Sequence, residues 1–269
     1  MAVRAYMAIF RVGISAALMY RANFLFTAGL TLLVGIGVQS FLWTAVYNGQ
    51  SSRSIAGIPF EQMLLYVVCA TLSLSLTRSG RIERMVAEEI RLGELSRYLL
   101  KPVGHAGYAI AMAAAERMVT LPVVLGLAAV AISIVLPVQL REVVEMLLAA
   151  LPLLLLGMLV NFLLGLGISY LAFWMDEVWT LHVVKDISLW FLSGQLLPLS
   201  LLPSAAAQVS ALLPFQHLAY TPAGIMAGLI PVSALPGLLV HALLWCGILS
   251  CAVALLWRAG IHRYGAYGG

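Results

Sequence analysis

The sequence predicts an all-α polytopic membrane protein, and three observations carry that expectation. Of the 269 residues, 62% are hydrophobic and 10% are charged, against an apolar share of about 45–50% in ordinary soluble domains. Mean hydropathy is +1.01, and the apolar residues gather into runs that supply the roughly 20 residues a bilayer-spanning helix needs. The charge is also concentrated: of 15 basic and 11 acidic residues, ten lie between Arg78 and Lys101. One membrane domain over 1–269 accommodates the whole pattern, with no internal repeat, linker or low-complexity tract.

The chain opens with a stretch in which Arg4, Arg11 and Ser15 share one helical face, with Val3, Phe10, Ile14 and Leu18 elsewhere around it. That pattern predicts an interfacial helix over 1–22, lying on lipid. Six apolar runs bounded by charge or turn residues then predict six transmembrane helices: about Asn23–Tyr47, Phe60–Thr77, Tyr108–Leu136, Met146–Leu171, Ile187–Leu202 and Ala234–Trp257. The first ends at the polar turn NGQSSRS, VQLREVVE separates the third from the fourth, and FWMDEVWTLHVVKD precedes the fifth.

Lys and Arg set the orientation. With the N-terminus inside, the cytoplasmic segments hold twelve of them, the outer loops hold only Arg53 and Arg141, and Arg117 lies within the third span. Both termini are therefore expected in the cytoplasm, in a multi-pass protein of the cell inner membrane. The same distribution assigns the net charge of +4 to membrane orientation and lipid contact, with no nucleic-acid partner expected.

Residues 203–231 do not read as a plain span. Pro203, Pro214 and Pro222 stand too close together, with Pro231, for one straight helix, yet the segment is too apolar for a solvated loop. It predicts two re-entrant half-helices, about Ser204–Leu213 and His217–Leu229, sheltered by protein on the outer side between spans five and six. Counting them as two true spans, eight in all, is the alternative.

The charged stretch after the second span carries its own pattern. Ile82, Met85, Val86 and Ile90 suit one helix, and Leu92, Leu95 and Leu99 share a face of a second. Gly93 is the natural break between them, and Pro102 closes the second. Two short amphipathic helices over 79–102 follow, on the cytoplasmic face. Glu83, Glu88, Glu89 and Glu94 do not suit an anionic lipid surface, so a mixed-charge pair of this kind fits a protein partner better.

Catalytic chemistry is not expected. There is no P-loop, the five histidines lack ligand spacing, and Cys69, Cys246 and Cys251 form no disulfide or metal framework. Neither enzyme activity, a resident cofactor nor a metal is predicted for this chain. Polar residues within spans are few: Asn161, Glu116 and Arg117 are candidates for a pathway, with helix–helix hydrogen bonding for Asn161 and snorkelling for the other two as alternatives. The want of a mid-span acid weighs against a secondary carrier.

Taken together, the order of elements and the stretches EEIRLGELSRYLLKPV, FLSGQLLPLSLLPS and LPFQHLAYTPAGIMAG resemble the membrane subunits of type-2 ABC transporters, the exporter-like permeases. The resemblance covers nearly the whole chain, with a little-characterised branch the nearest. It implies that the segment 87–101 is a coupling helix docked on a separate ATPase, through Glu88, Glu89, Ile90, Arg91, Leu92, Gly93, Glu94, Leu95, Tyr98, Leu99 and Pro102. Gly194, Pro198, Pro203, Pro214, Phe215, Tyr220 and Pro222 resemble the glycine, proline and aromatic pattern of the family's outer gate. The resemblance further implies two ATPase copies, ATP and Mg bound on them, and a second, related permease rather than self. Export of a lipid-like, drug-like or natural-product substrate would follow. A polysaccharide or glycolipid exporter is the alternative, with Trp43, Tyr47, Trp174, Trp179 and Trp190 as candidate sugar contacts; a secondary carrier and a membrane-embedded enzyme remain further alternatives.

Overall fold

A computed structural model of the chain describes residues 2–19, 21–48, 54–78, 81–95, 104–135 and 140–264. Helix α1 covers Ala2–Met19 and α2 covers Arg21–Val46. A two-residue hairpin follows, strand β1 (Ser54–Ile55) pairing antiparallel with β2 (Ile58–Pro59), Ile55 opposite Ile58. Its turn places Ala56 and Gly57 at positive φ, the conformation a tight hairpin turn requires. Then come α3 (Phe60–Thr77), α4 (Arg81–Arg91), α5 (His105–Val135) and α6 (Leu140–Tyr170). The remainder comprises α7 (Trp179–Leu192), α8 (Ser204–Leu212), α9 (Tyr220–Met226) and α10 (Leu235–Ile261), joined by short 3₁₀ turns.

Among the described residues, five helical stretches are long and apolar enough to cross a membrane: Gly29–Val46, Phe60–Arg91, His105–Leu127, Arg141–Phe173 and Val232–Ile261. The expected fifth span, Ile187–Leu202, is not one of them. Its place is taken by α7, which begins earlier and has 14 residues. At 1.5 Å per residue that is about 21 Å, short of the roughly 30 Å hydrocarbon core. The helix stops because Gly194 adopts φ +80° and its N–H turns back to the Phe191 carbonyl, a left-handed helix ending that glycine favours. It begins early because Lys185, which with Asp186 marks a polar connection in the sequence, is paired inside the fold with the buried Glu83 at 3.4 Å.

Helix α3 is the centre of the bundle. Met63, Tyr66, Val67, Val68, Cys69 and Ala70 are all fully buried, because α2, α5, α6 and α9 surround it. The peripheral α2 and α10 instead expose Phe26, Leu33, Phe41, Leu244 and Leu255, side chains that suit hydrocarbon. A second apolar cluster lies under α4, where Ile82, Val86, Ile90 and Leu95 meet Phe162, Leu166 and Tyr170.

Helix α1 does present Arg4, Arg11 and Ser15 outward. Its other face, however, is bound to protein: Gly13 packs against Ala115 and Met112, and Tyr6 against Gly107. The Gly104 N–H donates to the Tyr6 hydroxyl at 3.1 Å. The helix thus runs beside the first half of α5 rather than resting on lipid alone.

Candidate functional site

The amphipathic α4 turns Ile82, Glu83, Val86, Ala87, Glu89 and Ile90 inward and leaves Arg81, Arg84, Glu88 and Arg91 exposed. Two acids therefore lie on the apolar face, where each needs a partner. Glu83 is fully buried, its carboxylate 3.4 Å from Lys185 Nζ on α7. Gly165 of α6 makes the room, since a Cβ there would collide with the Glu83 side chain. The Ser169 hydroxyl donates to the Glu83 carbonyl at 2.6 Å and lies 3.2 Å from His182 Nε2. Glu89 reaches His105 Nε2 at 3.4 Å, and the His105 ring stacks on Trp257 at 5.0 Å between centroids.

From Lys185 the polar contacts continue to α6 and α3. Its Nζ is 3.5 Å from Asn161 Oδ1; Asn161 Nδ2 donates to the Thr77 carbonyl at 2.9 Å. The Thr77 hydroxyl donates to the Leu218 carbonyl at 3.1 Å. One chain of contacts therefore joins α4, α7, α6, α3 and the segment after α8.

The docking residues expected from the sequence divide on this helix. Glu88, Arg91, Leu92 and Glu94 are exposed, whereas Glu89, Ile90 and Leu95 are buried against the chain's own core. The correction follows from the helical period: Glu89 falls one heptad after Ile82, on the apolar stripe. Gly93 sits at φ +74° and ends α4 with Glu94 N–H bonded to the Glu89 carbonyl at 2.9 Å. The Tyr264 hydroxyl donates to the Gly93 carbonyl, tying the C-terminal region to this turn. Tyr98, Leu99 and Pro102 lie outside the described residues. Between the exposed face of α4 and the 174–178 connection lies a cleft of about 300 Å³, lined by Arg84, Glu88, Arg91, Asp176 and Glu177.

None of the three expected pathway residues lines the cleft beside α4. Arg117 points at the C-terminal end of α3, donating to the Leu76 carbonyl at 2.7 Å and to the Arg78 carbonyl, groups a helix end leaves unpaired. Glu116 pairs with Arg81 at 3.1 Å, and Asn161 is occupied as described. Their polarity is consumed within the fold.

The segment 203–231 is built of half-helices, shorter than expected and unequal. Helix α8 is largely exposed, while Pro214, Tyr220 and Pro222 sit in or beside a buried stretch that includes all of 221–227. Helix α8 starts at Ser204, with Pro203 at the N-cap. Non-helical backbone this deep needs partners, and it has them: Tyr220 N–H to Ser193 O at 2.9 Å, Tyr66 Oη to Gly194 O and Gln62 Nε2 to Ala227 O at 3.0 Å. His217 Nε2 meets His241 Nδ1 of α10 at 2.7 Å. Gly194 lies so close to the Tyr220 Cβ and the Tyr66 hydroxyl that any side chain would displace them. Pro198 precedes a 3₁₀ turn at Leu199–Leu201, and Phe215 packs against the central core.

Sequence reasoning missed a second opening. A groove of about 550 Å³ runs between α2, α3 and the end of α7, walled chiefly by Leu30, Leu32, Val34, Val38, Leu42 and Leu74. Thr71, Ser75, Gln39, Gln195 and Arg78 also line it, with Trp190. Of the five aromatic residues set aside as sugar contacts, Trp190 reaches this groove; Trp43 and Tyr47 are buried elsewhere. The signal available was the line of Thr71 and Ser75, continued by Arg78 at the C-cap, at helical spacing along the mostly apolar α3.

The family described as "ABC-2 family transporter protein" matches residues 33–268. No curated protein matches the chain.

Proposed function

Because the chain belongs to the ABC-2 transporter family, a family of multi-pass membrane permeases that work with an ABC ATPase, we propose that it is the membrane half of an ATP-driven exporter for hydrophobic or amphiphilic molecules. The groove beside α3 carries this reading. Its volume falls within the range of small-molecule sites and its walls are mostly apolar with a few polar groups, the composition such sites share.

In this reading six crossings place both termini in the cytoplasm of an inner-membrane protein, with α7 and the half-helices together completing the fifth crossing. The segment 87–101 receives the ATPase, through the exposed Glu88, Arg91, Leu92 and Glu94 and the adjacent cleft. ATP and Mg belong to two ATPase copies, and a related permease supplies the facing wall of the path. Glu83, Lys185, Asn161 and Thr77 tie α4 to the outer segment, so that a push on α4 is felt at the Leu218 turn rather than dissipated in side-chain rearrangement.

Purification of the tagged full chain from its native membrane, with mass spectrometry of what accompanies it, tests the assignment. A stoichiometric ATPase is expected, with a second permease. Glu88→Arg and Leu92→Asp, both on the exposed face, should insert normally yet lower ATPase recovery about tenfold, as misplaced interfacial charge does. Glu89→Arg does not test docking, because that carboxylate faces His105 inside the chain. Full ATPase recovery with both exposed variants would remove the docking surface from α4.

A further inference from the structure

The groove is not uniformly apolar, and its polar groups are placed unevenly. Arg78 stands at its inner end, at the C-cap of α3, and has no carboxylate partner among the described residues. The guanidinium carbon lies 5.9 Å from the centroid of the Trp190 ring, which holds the planar group against an aromatic face. Further out, three polar atoms that line the same groove are buried and find no hydrogen-bond partner among the described residues: Gln39 Oε1, Thr71 Oγ1 and Gln195 Oε1. Gln39 and Thr71 are only 6% and 5% exposed, so bulk solvent does not satisfy them. Eleven buried side-chain polar atoms find no hydrogen-bond partner among the described residues; these three share one apolar wall with the Arg78 guanidinium, and that convergence points to a group that arrives from outside the chain.

Depth orders these groups. Thr71 is seven residues above Arg78, about 10 Å along the helix. Gly35 of α2 packs on Thr71, which puts Gln39 another turn outward. A cation at the inner mouth is thus followed by hydrogen-bonding groups at successive heights, with aliphatic wall between them.

We infer that the groove binds an amphiphile with an anionic head, a carboxylate or phosphate, held at Arg78 while its aliphatic tail lies against α2 and α7. This rests on the permease reading above and specifies its substrate class. A guanidinium matches the paired oxygens of a carboxylate or phosphate in a way no other side chain does, and the charge-assisted bond gains strength where water is scarce. A neutral amphiphile of the same shape fills the walls but leaves the cation uncompensated. Thr71, Gln39 and Gln195 then offer the head its next hydrogen bonds as it moves outward.

The test uses the full chain with its co-purified ATPase, in phosphatidylcholine nanodiscs. A diazirine-bearing palmitate and its methyl ester are photolysed at equal membrane concentration, and labelling of residues 30–42 and 190–196 is read by mass spectrometry. The acid should label these stretches about tenfold more than the ester, the discrimination one charge-assisted hydrogen bond supplies. Arg78→Gln should bring the ratio to about one, and Arg78→Lys should retain most of it. The Arg78 backbone carbonyl, which Arg117 uses, is unchanged in both variants. Equal labelling by the two probes, a preference that survives Arg78→Gln, or no labelling of the groove would each overturn the proposal. So would a preference that vanishes when phosphatidylglycerol is added to the nanodiscs, since Arg78 would then hold bulk lipid. Recovery of the ATPase in the same preparation reports on the permease reading separately.

Discussion

The cluster beneath α4 and the groove beside α3 contain similar chemistry arranged to opposite ends. Beneath α4 a buried acid meets a buried ammonium, Glu83 with Lys185 at 3.4 Å, a second acid meets His105, and Asn161 is engaged through both its oxygen and its nitrogen. In the groove, among the described residues, Arg78 has an aromatic ring but no carboxylate, and three polar atoms stay open. Tyr170 Oη and His182 Nδ1 find no hydrogen-bond partner among the described residues near α4 either, so the difference lies in the charges. Those beneath α4 are paired from within and hold elements in register, while the groove's cation on an apolar wall is available to something that visits. The two regions lie within a few turns of each other on α3, which contributes Thr77 to the first and Thr71 to the second.

If that contrast is right, the largest effect comes from breaking the closed region. Lys185→Met removes the ammonium from the fully buried Glu83 carboxylate, and loss of one partner of a buried pair typically costs about 3–5 kcal/mol. The variant should lose most of its monodisperse peak in size-exclusion chromatography of the solubilised chain, with a sharply lower thermal midpoint. Adding Glu83→Gln should restore at least half of the loss, because the charge left behind is then gone. A single variant as stable as the wild type would mean that this pair does not hold α4 to α7.

A smaller effect is expected at the boundary between the regions. Arg117→Leu leaves the Leu76 and Arg78 carbonyls without their donor at the end of α3. Both bonds come from one guanidinium at a helix end, so losing them together should cost about 1.5–3 kcal/mol, part of it the attraction of helix carbonyl ends for a cation. The thermal midpoint should fall clearly but less than for Lys185→Met, with insertion preserved. A drop as large as that of Lys185→Met would place Arg117 inside the closed network rather than at its edge.

Much of the architecture was legible because it depends on local pattern. The long apolar runs, the break at Gly93 and the irregular outer segment each follow from composition or from one residue's backbone preference. The helix expected over Ile187–Leu202 starts earlier, at Trp179, for the converse reason: Lys185 and Asp186 look like a polar connection until Glu83, 102 residues away in sequence, is brought beside Lys185. The same blindness affected the site. Asn161 and Arg117 stand out as isolated polar residues in apolar runs, and nothing local shows that the Thr77 carbonyl and the end of α3 await them. Gln39, Thr71 and Gln195 are ordinary residues in three separate segments; only their convergence on one wall, with no partner supplied, distinguishes them. Glu83 and Glu89 were nearer to detection, since their spacing from Ile82, Val86 and Ile90 puts both on the apolar face of α4.

The smallest effect sharpens the comparison most. Thr71→Val swaps a hydroxyl for a methyl of nearly the same shape, at a position where the hydroxyl oxygen has no partner among the described residues. Removing a buried polar group that is already unsatisfied takes away a desolvation cost and no hydrogen bond. Stability should therefore stay within about 0.5 kcal/mol of wild type, or rise. At Thr77, one and a half turns along the same helix, the equivalent change removes the bond to the Leu218 carbonyl and should cost about 1 kcal/mol. Thermal melts of the two valine variants side by side decide the matter. Equal losses would mean that Thr71 is satisfied by the fold after all, and that the groove's open hydroxyl belongs to the same closed architecture as the cluster beneath α4.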